Sequence, residues 1–400
     1  MFIKEWKEEN RIVIPKVGRD DYHQCSSYRT ISITSCLGKR FEYITTRLVS
    51  ILLELNFDLD QHAYLKGRST MQAVLSLVEN IKKGILQDQC TGAVFFDLTD
   101  EFGSVDRRRL LHKIRKDFKI SGRLLSHIES FLSNRFARLK LHESMGDWIE
   151  SFIGTSEGTR LGRLLFIMHI HDAPSCIKPK YADDLVALSV DRIQENLQDA
   201  TDQLIRWTER ESMLINAIKT KVMVFGDQSH GVKIVIQNAA IEQVSSYKYL
   251  GVILDPKLDF EMKRAFSKIS TLIRGRRGIS VKLGIDLYKS LVRPHLEYAI
   301  PVWANICDKD MDKLEKTQVH CLKRVIGAKT HSSSSAVEVL CGVVPFRFRR
   351  RELCCREYIR MQAKDNGHEL VQLMESSTRR GLRFYPLEYL KTVSRELHRA

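Results

Sequence analysis

The apolar residues of this chain fall into short runs typical of strands and spaced stripes typical of helices. The stretch Arg11–Ile14, which Pro15 stops, predicts a short strand. The uninterrupted apolar run Gly92–Leu98 predicts a strand covered on both faces, with a functional group, Asp97, at its end. A helix is predicted over 37–55, and we expect its apolar side chains to pack in the core. These side chains are Leu37, Phe41, Ile44, Leu48, Ile51, Leu52 and Leu55.

Further stripes predict helices that flank this strand. They lie at Leu110–Phe118 and Leu124–Leu132, and Gly122 separates them. A long amphipathic helix is predicted between residues 191 and 215, followed by a strand at Val222–Phe225. Strands and helices are therefore mixed in this part of the chain.

The carboxy-terminal part is mostly helical by pattern. The stripe Met311–Ile326 predicts a helix that Gly327 ends, and Ser332–Ser335 predicts a loop. The tail from about Arg350 is basic and weakly patterned. The sequence contains no repeat period and no extended low-complexity tract.

Composition and charge favour a polyanionic partner. The 400 residues, of which 43% are hydrophobic, can form a sizeable core in two or three compact units. The formal net charge of +15 favours nucleic acid, and clustered cations favour contact with phosphate. The basic clusters are Arg107–Arg109, Arg274–Arg277 and Arg347–Arg351.

The nine cysteines show no regular framework and no C-x-x-C pair, so free thiols are expected. A loose group of His and Cys residues between His320 and Cys355 matches no metal-ligand spacing. The amino terminus lacks an apolar core, and no apolar segment approaches the length needed to cross a bilayer. We therefore expect no membrane partner and an intracellular location.

Two groups of acids indicate the chemistry. Asp183 and Asp184 follow Tyr181-Ala182 at a predicted hairpin turn, and Asp97 closes the apolar run. Such carboxylates can hold two Mg²⁺ ions about 3.5–4 Å apart, the arrangement that catalyses phosphoryl displacement. The alternatives are a solvated turn for the Asp pair and a helix cap for Asp97.

Nine short segments carry a family resemblance through both their residues and their order. They are Ile14–Lys16, Tyr28–Ser32, Gly67–Thr70, Phe95–Leu98, Gly154–Thr159, Tyr181–Asp184, Asn216–Thr220, Tyr249–Val252 and Leu296–Tyr298. Together they resemble the reverse transcriptases of non-LTR (LINE-like) retrotransposons, particularly the jockey-like kind. The resemblance runs from about Trp6 to about Phe346, which is most of the chain.

The resemblance implies an α+β right-hand polymerase fold of fingers, palm and thumb, with a ferredoxin-like palm sheet and a helical C-terminal region. It implies fingers at 1–90 and a palm with the catalytic acids and a primer-grip-like hairpin at 91–260. A helical thumb or connection would follow at 261–346, and a basic tail at 347–400. The implied function is an RNA-directed DNA polymerase that extends a primer 3′ end on an RNA template from deoxynucleoside triphosphates.

The same resemblance assigns roles in catalysis. Asp97, Asp183 and Asp184 would be the catalytic residues and the ligands of two Mg²⁺ ions, which activate the primer 3′-hydroxyl and neutralise the triphosphate. Phe102 would lie beneath the incoming sugar and exclude a 2′-hydroxyl, with core packing as the alternative. Lys219 would protonate the departing pyrophosphate, with an exposed structural lysine as the alternative.

The remaining implied contacts involve loops. Lys16 and Arg29 would hold the triphosphate, unless they are merely solvated. Glu157 and Gly158 belong to the segment that would lie under the nucleotide and template base, where glycine lets the backbone approach closely. The hairpin Tyr249–Val252 would grip the primer end, or its apolar residues would simply pack under the sheet.

The chain departs from the family at several of these places. Glu101-Phe102-Gly103 replaces Ala-Phe-Asp, which adds an anion near the nucleotide and removes a carboxylate. Ser156-Glu157-Gly158 replaces Pro-Gln-Gly, so an acceptor-only carboxylate replaces an amide that can donate. Arg163 and Thr30 replace prolines, and Ala63-Tyr64-Leu65 replaces Gly-Phe-Arg. These changes predict a copy whose polymerase activity is weakened or lost.

Two hypotheses follow: an active polymerase on an RNA template and DNA primer, or an inactive nucleic-acid-binding remnant of the same fold. A group II intron maturase or telomerase-like polymerase shares the palm but fits the carboxy-terminal segments less well. We expect a nuclear or cytoplasmic location and predict no oligomeric state. Because no endonuclease region precedes the motifs and no zinc knuckle follows them, a fragment of a longer element is expected.

Overall fold

The computed structural model describes residues 2–16, 18, 21–85, 87, 89–100, 102–141, 143–226, 231–258, 280–303 and 308–362. Four features of the sequence analysis lie outside these residues. They are Glu101, the cluster Arg274–Arg277, Cys307 and the tail beyond residue 362. The chain divides into two compact units. The first comprises Met1–Ala73, Thr91–Val224 and Gln228–Val244, and the second Val74–Cys90, Phe225–Asp227 and Ser245–Ala400.

Strands and helices are mixed along most of the described residues, and helices dominate towards the carboxy terminus. The strands are β1 (Glu8–Pro15), β2 (Tyr28–Ile33), β3 (Thr91–Phe96), β4 (Leu98–Thr99), β5 (Arg135–Leu141), β6 (Ser144–Met145), β7 (Ile149–Ser151), β8 (Ile177–Tyr181), β9 (Asp184–Ser189), β10 (Leu214–Ile215), β11 (Lys221–Phe225), β12 (Val235–Ile236), β13 (Ala239–Ala240), β14 (Glu242–Gln243), β15 (Tyr247–Tyr249) and β16 (Val252–Leu254). The α-helices are α1 (Cys36–Asn56), α2 (Thr70–Ile85), α3 (Arg107–Lys116), α4 (Gly122–Leu132), α5 (Arg160–His169), α6 (Ile193–Arg210), α7 (Val281–Leu287), α8 (Arg293–Glu297), α9 (Ile300–Trp303), α10 (Asp308–Ile326), α11 (Ser334–Cys341) and α12 (Phe346–Gln362). Short 3₁₀ helices lie at Lys4–Trp6 and Cys25–Ser27, and a π-helical turn at Tyr288–Val292.

A five-stranded sheet in the order β14-β11-β3-β9-β8 forms the centre of the first unit. β3 is antiparallel to β9, and every residue of β3 is buried. Helix α6 packs so closely on β3 that a Cβ at Gly92 would lie 2.8 Å from Leu197 Cδ1. The prediction of a strand covered on both faces is confirmed, and this strand ends one residue before Asp97.

A second sheet in the same unit has the order β2-β1-β5-β6, with β7 also paired to β5. β1 is antiparallel to β2 and parallel to β5. Glu9 on β1 and Arg135 on β5 form a buried ion pair at 3.3 Å. Because each charge has an opposite partner, the two strands can bury them together. β1 contains the predicted strand Arg11–Ile14 and ends at Pro15, as predicted.

Helix α1 forms as predicted, but the prediction that its apolar stripe packs in the core is wrong. Five of these side chains are at least 43% exposed: Leu37, Ile44, Leu48, Ile51 and Leu52. The buried face instead carries Glu42, Thr45 and Leu53. The Glu42 carboxylate accepts hydrogen bonds from the Arg160 and Leu161 amides at the start of α5, at 3.0 and 3.5 Å. The buried face of α1 therefore mixes the apolar Val49 and Leu53 with Glu42 and Thr45, and the Glu42 carboxylate is stabilised there by the amino terminus of α5.

The helix predicted between residues 191 and 215 is shorter than expected. α6 ends at Arg210, and Leu214–Ile215 forms β10, which pairs with β4. The chain reverses at Ser212, whose φ of +60° is incompatible with a continuing helix. The strand predicted at Val222–Phe225 is confirmed as β11.

The second unit contains the carboxy-terminal helices. α10 ends at Gly327, as predicted, where φ is +71°. The loop predicted at Ser332–Ser335 is shorter, because the Ser333 side chain accepts a hydrogen bond from the Ala336 amide and starts α11 one residue later. Inside this unit, the buried Tyr288 hydroxyl donates to the side-chain oxygen of the buried Gln318 at 2.9 Å, so these two polar groups pair with each other.

None of the cysteines that the structure describes forms a disulfide bond. Among the described helices, none is both long enough and apolar enough to span a bilayer.

An ionic cluster around the buried Lys113 joins α3 to the segments after α5 and α6. The Lys113 ammonium lies 2.7 Å from Asp172 and 2.9 Å from Glu211. It also donates to the carbonyl oxygen of His169 at 2.6 Å. Burial and the nearby Lys113 charge lower the pKa of the fully buried His169 ring to about 4.

Acidification is expected to destabilise this fold through His169. The folded ring stays neutral down to about pH 4, whereas the unfolded ring takes up a proton near pH 6.5. The unfolded state therefore binds more protons between these values, and about 3 kcal/mol of stability present at pH 7 is lost as the pH falls from about 6.5 to 4. Urea unfolding of His169→Leu across this window should show a flatter pH dependence than the wild type or the exposed control His295→Leu. Equal pH dependence in all three proteins would contradict this explanation.

Candidate active site

The predicted acids lie at neighbouring strand ends in the first unit. β3 and β9 are antiparallel, with Phe96 paired to Leu185. Asp97 follows Phe96 and Asp184 precedes Leu185, so each lies one residue beyond the last pair of this ladder, and the adjoining β8–β9 turn carries Asp183. Opposite residues of antiparallel strands have Cα atoms about 4.5–5.5 Å apart. Acids that are distant in the sequence are therefore brought together at one edge of the central sheet.

The turn that carries Asp183 is fixed by a residue that sequence reasoning missed. Ala182 has a φ of +54°, and its amide donates to the Gln61 side-chain oxygen at 3.0 Å. The same oxygen accepts from the Ala63 amide at 2.9 Å, and Gln61 is 2% exposed. No periodicity marks Gln61, and its only sequence signal is its place just before the family segment at Ala63-Tyr64-Leu65.

The segment Asn216–Thr220 holds Asp97 through main-chain and side-chain contacts. The Asn216 amide donates to the Asp97 carbonyl oxygen at 2.8 Å, and the Asp97 amide donates to the Thr220 hydroxyl at 3.3 Å. The Lys219 ammonium lies 3.0 Å from Asp97 Oδ2, and both side chains are partly exposed. The structure therefore brings Lys219 into direct contact with the first predicted acid.

The three acids supply the hard oxygen donors that Mg²⁺ prefers, and their strand-end placement fits a shared cation site. Within the described residues, however, no group of three or more His, Cys, Asp or Glu side chains is gathered to hold a metal. One oxygen of Asp97 is also engaged by Lys219. The donor chemistry of the three acids therefore suits Mg²⁺, whereas their side chains are not gathered into a metal-binding group in this structure.

The loop Gly154–Thr159 leads into α5 and lies against β2. Gly158 has a φ of +89°, and a Cβ there would lie 3.2 Å from the Ser32 carbonyl oxygen, so a side chain would push the strand aside. The Thr159 hydroxyl caps α5 by accepting from the third amide of that helix at 3.1 Å. Glu157 lies half-buried between the glycine turn and the buried Ser156.

The other predicted substrate residues also lie in the first unit. The Phe102 ring is half-buried and packs on Phe166 of α5, with ring centroids 4.9 Å apart. Arg29 is exposed on β2 and pairs across to β1, and the Lys16 amide continues this pairing by donating to the Ser27 carbonyl oxygen at 2.9 Å. Lys16 and Arg29 therefore form a second group, at one end of the β1–β2 pair.

The second unit contains the hairpin predicted to grip the primer. β15 and β16 pair with Tyr249 opposite Val252, and both of these residues are buried. The Tyr298 hydroxyl donates to the Leu250 carbonyl oxygen, and its ring carbon would lie 3.1 Å from a Cβ at Gly251. Two of the nine family segments are therefore in direct contact.

The central sheet, its flanking helices and the paired acids have the architecture of a nucleic-acid polymerase palm. A family model described as reverse transcriptase (RNA-dependent DNA polymerase) matches residues 14–254, which is more than half of the chain. The chain belongs to the reverse transcriptase family.

Curated relatives agree with this assignment. The chain is 26% identical over 375 residues to the RNA-directed DNA polymerase from mobile element jockey of Drosophila melanogaster, covering 84% of this chain and 39% of the relative. It is 23% identical over 352 residues to a probable RNA-directed DNA polymerase from transposon X-element of the same species, covering 82% and 38%. The chain spans about two fifths of the length of these relatives. The predicted resemblance to jockey-like non-LTR reverse transcriptases is confirmed.

Among solved structures, apo telomerase from Candida tropicalis is similar, with a TM-score of 0.50 and 11% identity. The alignment covers 97% of this chain and 69% of the telomerase chain. At this identity the similarity concerns the fold alone, and it agrees with the predicted α+β polymerase fold.

Proposed function

We propose that the chain is an RNA-directed DNA polymerase that extends a primer 3′ end on an RNA template from deoxynucleoside triphosphates. The observation that supports this proposal is the β3–β9 register in a member of the reverse transcriptase family, in which the last pair, Phe96 and Leu185, directly adjoins Asp97 and Asp184. The formal net charge of +15 suits a complex with two nucleic-acid strands.

Each part of the chain has a separate role in this proposal. Residues 1–90 would act as fingers and 91–260 as the palm, followed by a helical thumb at 261–346 and a basic tail at 347–400. The RNA template and the DNA primer would be the macromolecular partners, and the protein would work in the nucleus or the cytoplasm.

The acids would form the reaction centre. Two Mg²⁺ ions, when bound, supply the positive charge that activates the primer 3′-hydroxyl and stabilises the phosphates. Asp97, Asp183 and Asp184 would hold these ions with their carboxylate oxygens. Lys219 is held at the same place by Asp97, so its ammonium is a suitable proton donor to the departing pyrophosphate.

The surrounding residues would bind and orient the nucleotide. Lys16 and Arg29 would pair with the triphosphate oxygens, because Arg and Lys form charge-assisted bonds with phosphate. Gly158 would let the main chain approach the base, with Glu157 beside it. The Phe102 ring would lie against the sugar and exclude a 2′-hydroxyl.

Primer extension tests the proposal directly. The chain would be mixed with an RNA template, a 5′-labelled DNA primer, the four deoxynucleotides and Mg²⁺. We expect extension to the template end, with a sequence that follows the template and with complete loss on chelation of Mg²⁺. If no primer is extended at any protein concentration, although the primed template is bound, the chain is not a polymerase.

Glu157 favours a second candidate function, an inactive protein that still binds a primed template. The Glu157 carboxylate accepts hydrogen bonds but cannot donate them at neutral pH, so it cannot replace the amide expected in the family. Its negative charge also repels a triphosphate. Such a remnant would bind primed template in a filter assay with steep salt dependence and incorporate nothing. The double variant Glu157→Gln, Glu101→Ala separates the cases. Restored synthesis would show that only the pocket is damaged, and its absence would support the remnant.

Lys219→Met is expected to tighten divalent cation binding up to about fivefold. The Lys219 ammonium competes with a cation for Asp97 Oδ2, and a partly exposed ion pair contributes up to about 1 kcal/mol. Mn²⁺ titration, followed by the electron paramagnetic resonance signal of the free ion, measures this change. Lys221→Met is the matched control, because that lysine pairs with Glu242 instead. Equal Mn²⁺ affinity in wild type and Lys219→Met would show that the two cations do not compete.

A further inference from the structure

The Arg107 side chain holds a loop of the candidate active site in place through hydrogen bonds. It is the first residue of α3, directly after the capping Asp106. Its guanidinium donates four hydrogen bonds to the segment 151–154, which leads into the predicted nucleotide loop. These bonds run from Nε to the Gly154 carbonyl oxygen (2.8 Å), from Nη1 to the Ser151 carbonyl oxygen (2.5 Å), and from Nη2 to the Ile153 carbonyl oxygen (2.9 Å) and Ser151 Oγ (3.1 Å).

The segment that Arg107 binds is in turn hydrogen-bonded to the main chain around Phe102. The Gly154 amide donates to the Val105 carbonyl oxygen, and the Thr155 amide donates to the Phe102 carbonyl oxygen, both at 2.8 Å. A Cβ at Gly154 would lie 2.8 Å from the carbonyl oxygens of Phe102 and Gly103. The two loops therefore meet through main-chain atoms, with no room for a side chain between them.

The chemistry of this contact requires an arginine. Burial lowers the pKa of Arg107 to about 10, so the guanidinium remains charged at neutral pH. Its planar fork of N–H groups can reach three carbonyl oxygens at once, whereas the compact ammonium of lysine cannot keep the same three. Because the half-buried guanidinium holds this segment through three carbonyl oxygens, each carbonyl bond that is lost removes one of the contacts that fix it.

We propose that Arg107 is a positioning residue that fixes the Phe102 ring and thereby sets the preference for deoxynucleotides over ribonucleotides. This inference rests on the proposed function. Phe102 is held at its ring by Phe166 and at its carbonyl oxygen by Thr155. If the segment 151–155 becomes mobile, the hydrogen bond from Thr155 to the Phe102 carbonyl oxygen is lost. The Phe102 ring can then move away and make room for a 2′-hydroxyl. The sugar preference then depends on a residue that does not touch the nucleotide.

The experiment compares Arg107→Met and Arg107→Lys with the control Arg108→Met. Arg108 is the exposed neighbour on the same helical turn, so its replacement removes the same charge without touching the 151–154 carbonyls. Two quantities are measured for each protein. One is amide hydrogen exchange of Gly154 and Thr155. The other is the ratio of the dissociation constants of ATP and dATP on a primed RNA template whose primer ends in a dideoxynucleotide.

We expect Arg107→Met to speed exchange of both amides at least about tenfold and to reduce the ATP to dATP ratio about tenfold, which is about 1.4 kcal/mol. For Arg107→Lys, both the exchange rates and the ratio should lie between those of the wild type and Arg107→Met. For Arg108→Met, both should match the wild type. Faster exchange with an unchanged ratio would limit Arg107 to a structural role and overturn the inference, as would unchanged exchange. A wild-type protein that binds neither nucleotide would instead contradict the proposed function itself.

Discussion

Replacement of Asp97 by asparagine should reduce nucleotide incorporation by about three orders of magnitude. Asparagine keeps the shape of the side chain but removes the charge that holds divalent cations, and metal stabilisation of a phosphoryl transition state is several kcal/mol. The fold should persist, because the bonds from Asn216 and to Thr220 involve the main chain of residue 97. The measurement is single-nucleotide incorporation on saturating primed RNA, with a thermal melt of each protein.

Asp199→Asn is the matched control for this loss. Asp199 lies exposed on α6 and accepts a hydrogen bond from Gln203 at 2.8 Å, away from the strand ends that carry the acids. This variant carries the same change in net charge and should keep wild-type incorporation. Wild-type incorporation by Asp97→Asn, or equal losses in the two variants, would contradict the assigned role of Asp97.

Replacement of Gly154 by alanine should lower the free energy of unfolding more than any of the other glycine, aspartate, lysine or arginine substitutions. The residue has a φ of +78°, and its new Cβ would lie 2.8–2.9 Å from three main-chain atoms of Phe102 and Gly103. Main-chain atoms cannot swing aside as a side-chain end can, so the two loops must separate. We expect a loss of roughly 2–4 kcal/mol in urea unfolding, together with a sharp fall in incorporation.

Gly122→Ala separates backbone strain from the clash. Gly122 also has a positive φ, +60°, but nothing lies within 4 Å of a Cβ built there. Alanine at this position should therefore cost only the left-handed strain, about 1 kcal/mol, and leave incorporation unchanged. If the two variants lose equal stability, the close approach of the two loops is not what makes Gly154 necessary.

The acids were predictable because each carries a local signal. Asp97 closes an apolar run, and Asp183 and Asp184 follow a hairpin pattern, so both groups fall at strand ends. Their pairing required the register of β3 and β9, which no local pattern contains and which only the family resemblance implied. The same holds for Lys219, whose contact with Asp97 joins residues far apart in the chain.

Features that depend on a tertiary partner escaped prediction. The apolar spacing of α1 predicted the correct helix and the wrong face, because the partner of Glu42 is the amino terminus of α5. Arg107 belongs to a basic cluster predicted to contact phosphate, yet its donors face carbonyl oxygens of the protein. The family has an aspartate where this chain has Gly103. In this structure the Asp100 carboxylate occupies the space that a side chain at position 103 would fill.

The proposed polymerase activity depends on Asp97, Asp183 and Asp184 gathering divalent cations at one edge of the central sheet. Mn²⁺ binding, measured by electron paramagnetic resonance with primed RNA template and dATP present, tests this most directly. We predict about two tightly held Mn²⁺ ions with mutual magnetic coupling in the wild type, and loss of the coupling in both Asp97→Asn and Asp183→Asn. Mn²⁺ binding that is absent from the wild type, or equally tight in all three proteins, would contradict a metal site built from these acids.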